Sequence, residues 1–433
     1  MRRATPLSSH KGGTEGAGTV EGGQGILIAI LITSLVLSVL FAANLKMGDN
    51  PDEVSHLSYI RLLIEERGFV RFVADDAARF ETHQPPLYYL LCVPAYLVSG
   101  GSYVVVRLVA ALIQLATIGV TWRACRDLLP TRPEIAPGAA AFVAFLPTAA
   151  QLAGSINNDP LTTLFCTLIF WKLGRVAVRG GHRIEPALLL GLFLGLGLLT
   201  KLSVLQVIPA FFVAYFVAVR SRLLTASQAV RFLSVALVVG FLVASPWLIR
   251  NTRFYGDPFT LKIFPLTAGV DTPTPEKMMR LMGWTFDQYL SITAVRTFAT
   301  FWFVLPPNRL IAAVGPLALV SLFALGGAWG AVASWVRARQ MGDADSAALA
   351  RLTAVYAAGL LLLIPFFARF VLTFFQAQGR YFLPALLPVA VLTVLGWGSL
   401  PGKLGRYGLL LVTISLLLLS LFQIASLGKG LAA

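Results

Sequence analysis

The sequence predicts an all-α fold: a polytopic bundle of transmembrane helices, with amphipathic juxtamembrane helices in the first extracytoplasmic loop. Of its 433 residues, 57% are hydrophobic and only 13% are charged, whereas an ordinary soluble domain carries about 25% charged residues. Uncharged apolar runs of about 20 residues recur along the chain, and basic residues gather in short clusters between them. A water-soluble fold of this composition could not cover its apolar surface.

The apolar runs define the predicted membrane-spanning elements. A hydrocarbon layer of about 30 Å requires about 20 helical residues, and about eleven runs approach that length. They are residues 26–45, 103–122, 136–156, 160–178, 186–200, 202–219, 232–249, 310–336, 352–375, 381–400 and 407–427. Residues 1–24 are rich in Gly, Ser and Thr and are predicted to form a disordered basic cytoplasmic tail. Residues 25–433 then form the transmembrane domain.

One apolar segment, Pro85–Val98, has only about 14 residues and falls short of a crossing. We interpret it as re-entrant or interfacial. With the N-terminus in the cytoplasm, the basic clusters of the short loops then face the cytoplasm, as the positive-inside rule requires. Two long polar segments, residues 46–84 and 250–309, are accordingly predicted to be extracytoplasmic; we call them the first and second outer segments.

Charge and cysteine content argue against two other classes of protein. The net charge is +15, but the basic residues do not form one face, so nucleic-acid binding is not predicted. The three cysteines, Cys92, Cys125 and Cys166, are too scattered for a metal motif and are predicted to pack within apolar segments.

The first outer segment holds eight of the 20 acids and two of the four histidines. Near its start, apolar residues at helical spacing predict a short amphipathic helix along the membrane surface. One interpretation of its first residues is structural, with Asn50 as N-cap and Glu53 completing a capping box. The other is functional, because Asp52 and His56 share one helical face, and a carboxylate there can accept a proton from a hydroxyl. The candidate catalytic residues are Asp52 and Glu53.

Further candidate residues lie at the same predicted membrane face and are assigned to substrate binding. They are His56, His83, Gln84, Asn158, Asp159, Lys201, Arg380 and Tyr381. Asp159 has an alternative role as a cap of the helix that follows it. Lys201 and Arg380 could either snorkel at a membrane boundary or bind a phosphate through charge-assisted hydrogen bonds.

Several motifs, taken in order, resemble those of bacterial GT-C membrane glycosyltransferases, and most nearly those of the dolichyl-phosphate-mannose protein mannosyltransferase-like group, glycosyltransferase family 39. The motifs are Asn50-Pro51-Asp52-Glu53 with His56, His83-Gln84-Pro85-Pro86-Leu87-Tyr88-Tyr89, Asn157-Asn158-Asp159-Pro160, Pro246-Trp247-Leu248-Ile249-Arg250-Asn251, Tyr255-Gly256-Asp257-Pro258 and Gln378-Gly379-Arg380-Tyr381. The resemblance covers the chain from the first span to about Pro384.

The resemblance implies an inverting enzyme of the cell membrane with its active site on the extracytoplasmic face. Such enzymes move a sugar from a polyprenyl-phosphate carrier to a lipid, glycan or protein acceptor, among membrane lipids. The resemblance makes Asp52 the general base. Some relatives also use a divalent cation between acids of the first two outer loops. Asp52 and Asp159 could hold one, although hard cations usually need more oxygen ligands than two.

A transporter or flippase for a lipid-linked or anionic solute is the alternative from another class. Such a protein places ionisable groups near the middle of the membrane. Here only Arg107 and Arg369 come close to that position, and both can lie near a span end.

Overall fold

The computed structural model describes residues 15–74, 76–181, 183–263, 265–266, 272–304 and 314–427, and the regular structure of these residues is entirely helical. This confirms the all-α prediction. The α-helices are α1 (Glu15–Asn44), α2 (Glu53–Glu65), α3 (Leu87–Val98), α4 (Tyr103–Leu128), α5 (Ile135–Phe145), α6 (Pro147–Ala153), α7 (Asp159–Arg179), α8 (Glu185–Leu198), α9 (Ile208–Arg220), α10 (Ala226–Tyr255), α11 (Pro275–Met282), α12 (Phe286–Trp302), α13 (Val314–Met341), α14 (Ala344–Leu361), α15 (Leu363–Val371), α16 (Leu386–Gly398) and α17 (Gly402–Leu427). Short 3-10 helices occupy Ala77–His83, Leu202–Val207 and Gly379–Ala385.

Nine helical segments of the described residues are long and apolar enough to cross a membrane. The bent pair α5 and α6, which meet at 61°, would make a tenth if it forms one span. This confirms a protein that crosses the membrane many times. The predicted span at residues 186–200 corresponds to α8, which has only 14 residues and is shorter than the usual minimum of about 17.

The contacts of α7 and α8 nevertheless show that both run between the same two ends of the bundle. At the beginning of α7, Asp159 contacts Lys201, which follows α8. At the end of α7, Arg179 pairs with Asp127, near the end of α4. The chain therefore returns from the second end to the first between Arg179 and Lys201. Gly195 allows this return path to pack closely on α10, since a Cβ there would lie 2.7 Å from the Gly240 carbonyl oxygen.

The short helix α3 does not run the depth of the bundle. It begins beside Asn157, whose backbone N–H donates to the Tyr88 hydroxyl. The next helix, α4, already contacts the same end of the bundle in its second turn, where Arg107 pairs with Glu53. Helix α3 has 12 residues, a length of about 18 Å. These contacts agree with the interpretation of this segment as re-entrant or interfacial.

Helix α1 begins at Glu15, earlier than the apolar pattern indicated. Residues 15–24 of the predicted disordered tail are therefore helical, and residues 1–14 lie outside the described residues.

The first outer segment is fastened to the bundle by a separate apolar cluster. Leu57, Ile60 and Leu63 of α2 are buried together with Tyr88 and Ile113. Because these positions follow the helical spacing seen in the sequence, the predicted amphipathic helix is confirmed, and its apolar face packs on protein. The start of α2 thereby lies beside the turn before α7, where Glu53 Oε1 accepts the Ile156 N–H at 2.9 Å.

Candidate active site

Four of the predicted residues form one ionic cluster at the end of the bundle where α2 and α7 begin. Arg380 lies between two carboxylates, with Nη2 3.1 Å from Asp52 Oδ2 and Nη1 3.6 Å from Asp159 Oδ2. Lys201 Nζ lies 2.5 Å from Asp159 Oδ1. Two acids are thus balanced by two cations. The sequence placed all four at one face of the membrane, and the structure brings their charged groups together.

The backbone at Asp52 has φ +65°, in the left-handed region. Asp is one of the few residues other than Gly that adopt this region readily, and such positions often occur at functional sites. Asp52 precedes α2 and its side chain makes no capping hydrogen bond. The carboxylate instead faces Arg380 and keeps 39% of its side-chain surface exposed, so a substrate can reach it.

The predicted capping box is wrong. Helix α2 begins at Glu53, and the Asn50 side chain accepts a hydrogen bond from Gln151 Nε2 at 2.6 Å instead of capping the helix. Tertiary contacts therefore outweigh the local pattern here. The capping role considered for Asp159 is also not observed: Asp159 is the first residue of α7, and its carboxylate pairs with Lys201.

Glu53 forms a fully buried ion pair with Arg107. Arg107 Nε and Nη2 donate to the two carboxylate oxygens at 2.8 and 2.7 Å, and both side chains are 0% exposed. Glu53 Oε1 also accepts the Ile156 N–H at 2.9 Å, and Arg107 donates to the Ala42 carbonyl at the end of α1. These bonds tie α1, α2, α4 and the turn before α7 together. We therefore assign Glu53 a positioning role in place of the catalytic role predicted for it.

The two tyrosines of the Pro85-Pro86-Leu87-Tyr88-Tyr89 motif also position the site. The Tyr88 hydroxyl accepts the Asn157 N–H at 3.0 Å. The Tyr89 hydroxyl lies 2.8 Å from His56 Nδ1 and 3.5 Å from Asn158 Nδ2. The sequence motif signalled these residues, but their function as supports for the turn before α7 was not predicted. His56 and Asn158 are both buried and held by this framework.

His83 and Gln84 lie at the edge of the site. The His83 ring is 5% exposed, and its Nδ1 lies 2.9 Å from the Phe80 carbonyl oxygen. A carbonyl can only accept, so Nδ1 carries the proton and Nε2 can accept from Gln84 Nε2 at 3.4 Å. Burial lowers the pKa of His83 to about 4, against a smaller opposing effect of the Phe80 carbonyl. His83 is therefore neutral at pH 7 and can act on a ligand only as a hydrogen-bonding group.

Tyr381 lies beside the charged cluster, with the Arg380 guanidinium carbon 5.5 Å from the centroid of its ring. Its hydroxyl donates to Gln376 Oε1 at 3.3 Å, and its ring packs against Phe370 at a centroid distance of 5.1 Å. Among the described residues, Tyr381 shows no hydrogen bond to Asp52 or Asp159. Its role in substrate binding stays a prediction.

Glu81 was counted among the acids of the first outer segment but was not singled out as a site residue. It is 5% exposed, and its Oε2 has no hydrogen-bond partner among the described residues. Burial raises the pKa of Glu81, and attraction to His56 only partly offsets this. Burial also lowers the pKa of His56, against the opposing attraction of Glu81 and Asp52.

Burial raises the pKa of Asp52, but attraction to Arg380 and then to His56 outweighs it, so that the pKa lies below its usual value. Asp52 is consequently ionised throughout the physiological range. Asp52, His56 and Glu81 each offer a ligand atom, all within 4.8 Å of one another, and could hold a divalent metal ion. Asp52 and Asp159, the pair considered from the sequence, suit a metal less well because Arg380 and Lys201 occupy their oxygens.

Comparison with known proteins bears on this site. Residues 83–249 match the family model described as dolichyl-phosphate-mannose-protein mannosyltransferase. This part of the chain is therefore similar in sequence to that family. The match begins at His83 and includes Asp159 and Lys201, whereas Asp52 and Arg380 lie outside it. No curated protein matches the chain.

Solved structures with similar chain paths include two proteins. One is the archaeal oligosaccharyltransferase AglB from Archaeoglobus fulgidus, in complex with an inhibitory peptide and a dolichol-phosphate, at 13% identity and a TM-score of 0.47. That similarity covers 93% of this chain and 55% of AglB, so the chain spans about half the length of that protein. The other is ArnT from Cupriavidus metallidurans bound to undecaprenyl phosphate, at 19% identity and a TM-score of 0.42, covering 86% of this chain and 78% of ArnT.

Proposed function

We propose that this protein is an inverting glycosyltransferase that moves a sugar from a polyprenyl-phosphate carrier to an acceptor at the extracytoplasmic face of the cell membrane. The observation that carries the proposal is the cluster of Asp52, Asp159, Lys201 and Arg380 at one end of a membrane bundle. The family match over residues 83–249 supports the same reaction class.

Asp52 has the properties of the general base. It is ionised, partly exposed, and fixed by the framework that holds the start of α2. A carboxylate in this position can take the proton of an acceptor hydroxyl as that oxygen attacks the anomeric carbon from the side opposite the phosphate. Base assistance contributes roughly 10²–10⁴-fold to the rate, and holding both reactants in place contributes further.

The cations near Asp52 suit the other half of the reaction. The bond between the anomeric carbon and the phosphate oxygen breaks as the new glycosidic bond forms, and negative charge grows on the departing phosphate. Positive groups fixed near that oxygen stabilise the growing charge in a site from which water is largely excluded. Arg380 and Lys201 can serve this purpose only in part, because both already face carboxylates.

The transporter or flippase alternative has less support. Arg107 is neutralised by Glu53 and donates to carbonyl oxygens at the end of α1. Arg369, the other candidate intramembrane charge, is exposed. Neither forms a charged site halfway along the spans in the part of the chain that the structure describes.

The proposal is tested by adding a panel of polyprenyl phosphates that carry radiolabelled sugars to membranes with and without the protein. We expect one of these donors to transfer label to an acceptor only where the protein is present. A parallel measurement follows movement of the intact labelled lipid between leaflets. Movement across the bilayer with no sugar transfer from any donor would contradict the proposal and favour the transporter.

A further inference from the structure

A cavity of about 160 Å³ is lined by Pro51 and Arg380, which are the chain neighbour and the ion-pair partner of Asp52. It is lined by the residues just before Asp52, by α6, by the second half of α12 and by residues 375–380. Since a water molecule occupies about 30 Å³ in the liquid, the cavity holds the equivalent of about five waters. That is room for a small polar group.

The polar residues that line this cavity supply hydrogen-bond donors in excess of acceptors. Asn50 and Arg380 are 2% and 9% exposed, and Asn50 Nδ2 and Arg380 Nε are buried without an acceptor among the described residues. Arg296 Nε is a third donor in the same condition. Buried donors that lack an acceptor are unfavourable by about 1–3 kcal/mol each, so such a group indicates a ligand rich in acceptor atoms.

Arg296 is a cation outside the ionic cluster of Asp52, Asp159, Lys201 and Arg380. Its guanidinium forms no ion pair and no hydrogen bond with any described residue, and its contact is with the face of Phe375, 5.7 Å from the ring centroid. Among the described residues, the lining of the cavity includes two arginines and no acid. In contrast, Lys201 and the other face of Arg380 are neutralised by Asp52 and Asp159.

We propose that this cavity binds the phosphate group of the lipid carrier, with Arg296 and Arg380 as its cations and Asn50 as a further donor. The assignment rests on the proposed function and deepens it. The apolar residues Leu152, Val304 and Phe375 share the lining, which suits the first carbons of an isoprenoid chain. Guanidinium groups bind phosphate oxygens through paired, charge-assisted hydrogen bonds.

The position of Arg380 couples this phosphate to the base. Its guanidinium lines the cavity and also lies 3.1 Å from Asp52. A phosphate in the cavity therefore shares Arg380 with the Asp52 carboxylate, which places the charged end of the carrier beside the proposed base.

The experiment measures binding of radiolabelled undecaprenyl phosphate to the purified full-length protein in lipid nanodiscs. Arg296→Gln removes the unpaired cation, and Arg296→Lys keeps the charge but not the paired donors. Arg280→Gln is the matched control, because Arg280 is an exposed arginine of the same outer segment. Undecaprenol, which lacks the phosphate, and inorganic phosphate are the two comparison probes.

We expect Arg296→Gln to raise the Kd for undecaprenyl phosphate by roughly 10- to 100-fold, the usual effect of losing a charge-assisted hydrogen bond. Arg296→Lys should lose less, and Arg280→Gln should bind as the wild type does. Undecaprenol should bind weakly to the wild type, with no further loss in Arg296→Gln. Inorganic phosphate should compete only at concentrations far above the lipid.

Three results would overturn the assignment: equal binding by Arg296→Gln and wild type, equal binding of undecaprenol and undecaprenyl phosphate, or inorganic phosphate as tight as the lipid. The last would make the cavity a general anion site. The comparisons of undecaprenol and of inorganic phosphate with undecaprenyl phosphate use the wild type, so they test the assignment even if Arg296→Gln does not fold. Sugar transfer in membranes is measured separately. If the wild type transfers sugar and Arg296→Gln has an unaffected Kd, only the assignment of this cavity is refuted. If the wild type binds the lipid tightly but transfers no sugar, the proposed function is refuted.

Discussion

Replacing Glu53 with Gln leaves the charge of Arg107 without a counter-ion in the interior of the bundle. Both side chains are 0% exposed, and two charge-assisted hydrogen bonds of 2.8 and 2.7 Å join them. Removing one partner of a buried ion pair typically destabilises a protein by about 3–5 kcal/mol, most of it because the other charge stays buried. We expect the free energy of unfolding of Glu53→Gln to fall by that amount. Gln keeps the shape of Glu and can still accept the Ile156 N–H, so the main change is the loss of the negative charge.

The assay is equilibrium unfolding in mixed micelles of the wild type, Glu53→Gln, Arg107→Gln and the double variant. The double variant should be less destabilised than the sum of the single variants by about 1–3 kcal/mol, because no buried charge is left unpaired. Glu65→Gln is the control, since Glu65 is exposed at the end of the same helix. Additive effects, or a loss below about 1 kcal/mol in Glu53→Gln, would refute the positioning role.

Two further predictions concern the edges of the site. The pKa of His83 falls from 6.5 to about 4 on folding, so the unfolded chain binds more protons than the folded chain between these pH values. The stability that neutral His83 contributes is therefore fully present above pH 6.5 and is lost as the pH falls to 4. The difference corresponds to about 3 kcal/mol of folding stability. His83→Gln should remove that part of the acid sensitivity, measured by thermal unfolding scans from pH 7 to 4. A pH profile equal to that of the wild type would contradict this prediction. Gly379→Ala should separate the segment before Arg380 from α12, because a Cβ there would lie 2.1 Å from the Phe301 backbone nitrogen. We expect a loss of about 1–3 kcal/mol in unfolding free energy and a larger loss of sugar transfer. Gly119→Ala, where a Cβ meets nothing within 4 Å, should show neither, and equal effects of the two substitutions would show that close packing at Gly379 is unimportant.

The sequence predicted the assembly of the charged cluster because topology alone constrains it. Spans alternate in direction, so residues that follow the first, third, fifth and ninth predicted spans must share a membrane face. Asp52, Asp159, Lys201 and Arg380 could therefore be grouped without knowing their contacts. Arg380 and Asp52 are 328 positions apart, and only the alternation of spans relates them in the sequence. The same reasoning predicted that the segment before α4 does not cross.

Local patterns were a weaker guide within the first outer segment. The capping box at Asn50 and Glu53 follows the usual spacing, yet distant partners, Gln151 and Arg107, take both side chains. No local signal distinguishes an acid that caps a helix from one that pairs with an arginine 54 positions away. The burial of Glu81, with its Oε2 lacking a hydrogen-bond partner among the described residues, is likewise a tertiary property. Nothing in its neighbourhood in the sequence indicates it.

The cavity beside Asp52 was also beyond sequence reasoning. Arg296 belongs to the second outer segment, where basic residues are common and charge bias is a poor guide. Its significance comes from the described residues around it: Arg380 lines the same cavity, and no acid among them does. A prediction of that kind requires knowing which side chains share one space.

The most direct test of the account is sugar transfer by Asp52→Asn, measured beside the wild type and Glu65→Gln at equal amounts of folded protein. Asn keeps the shape of Asp but cannot take a proton. We predict a transfer rate lower than that of the wild type by roughly 10²–10⁴-fold, with Glu65→Gln unaffected. Transfer by Asp52→Asn at the wild-type rate would show that the carboxylate beside Arg380 is not the base.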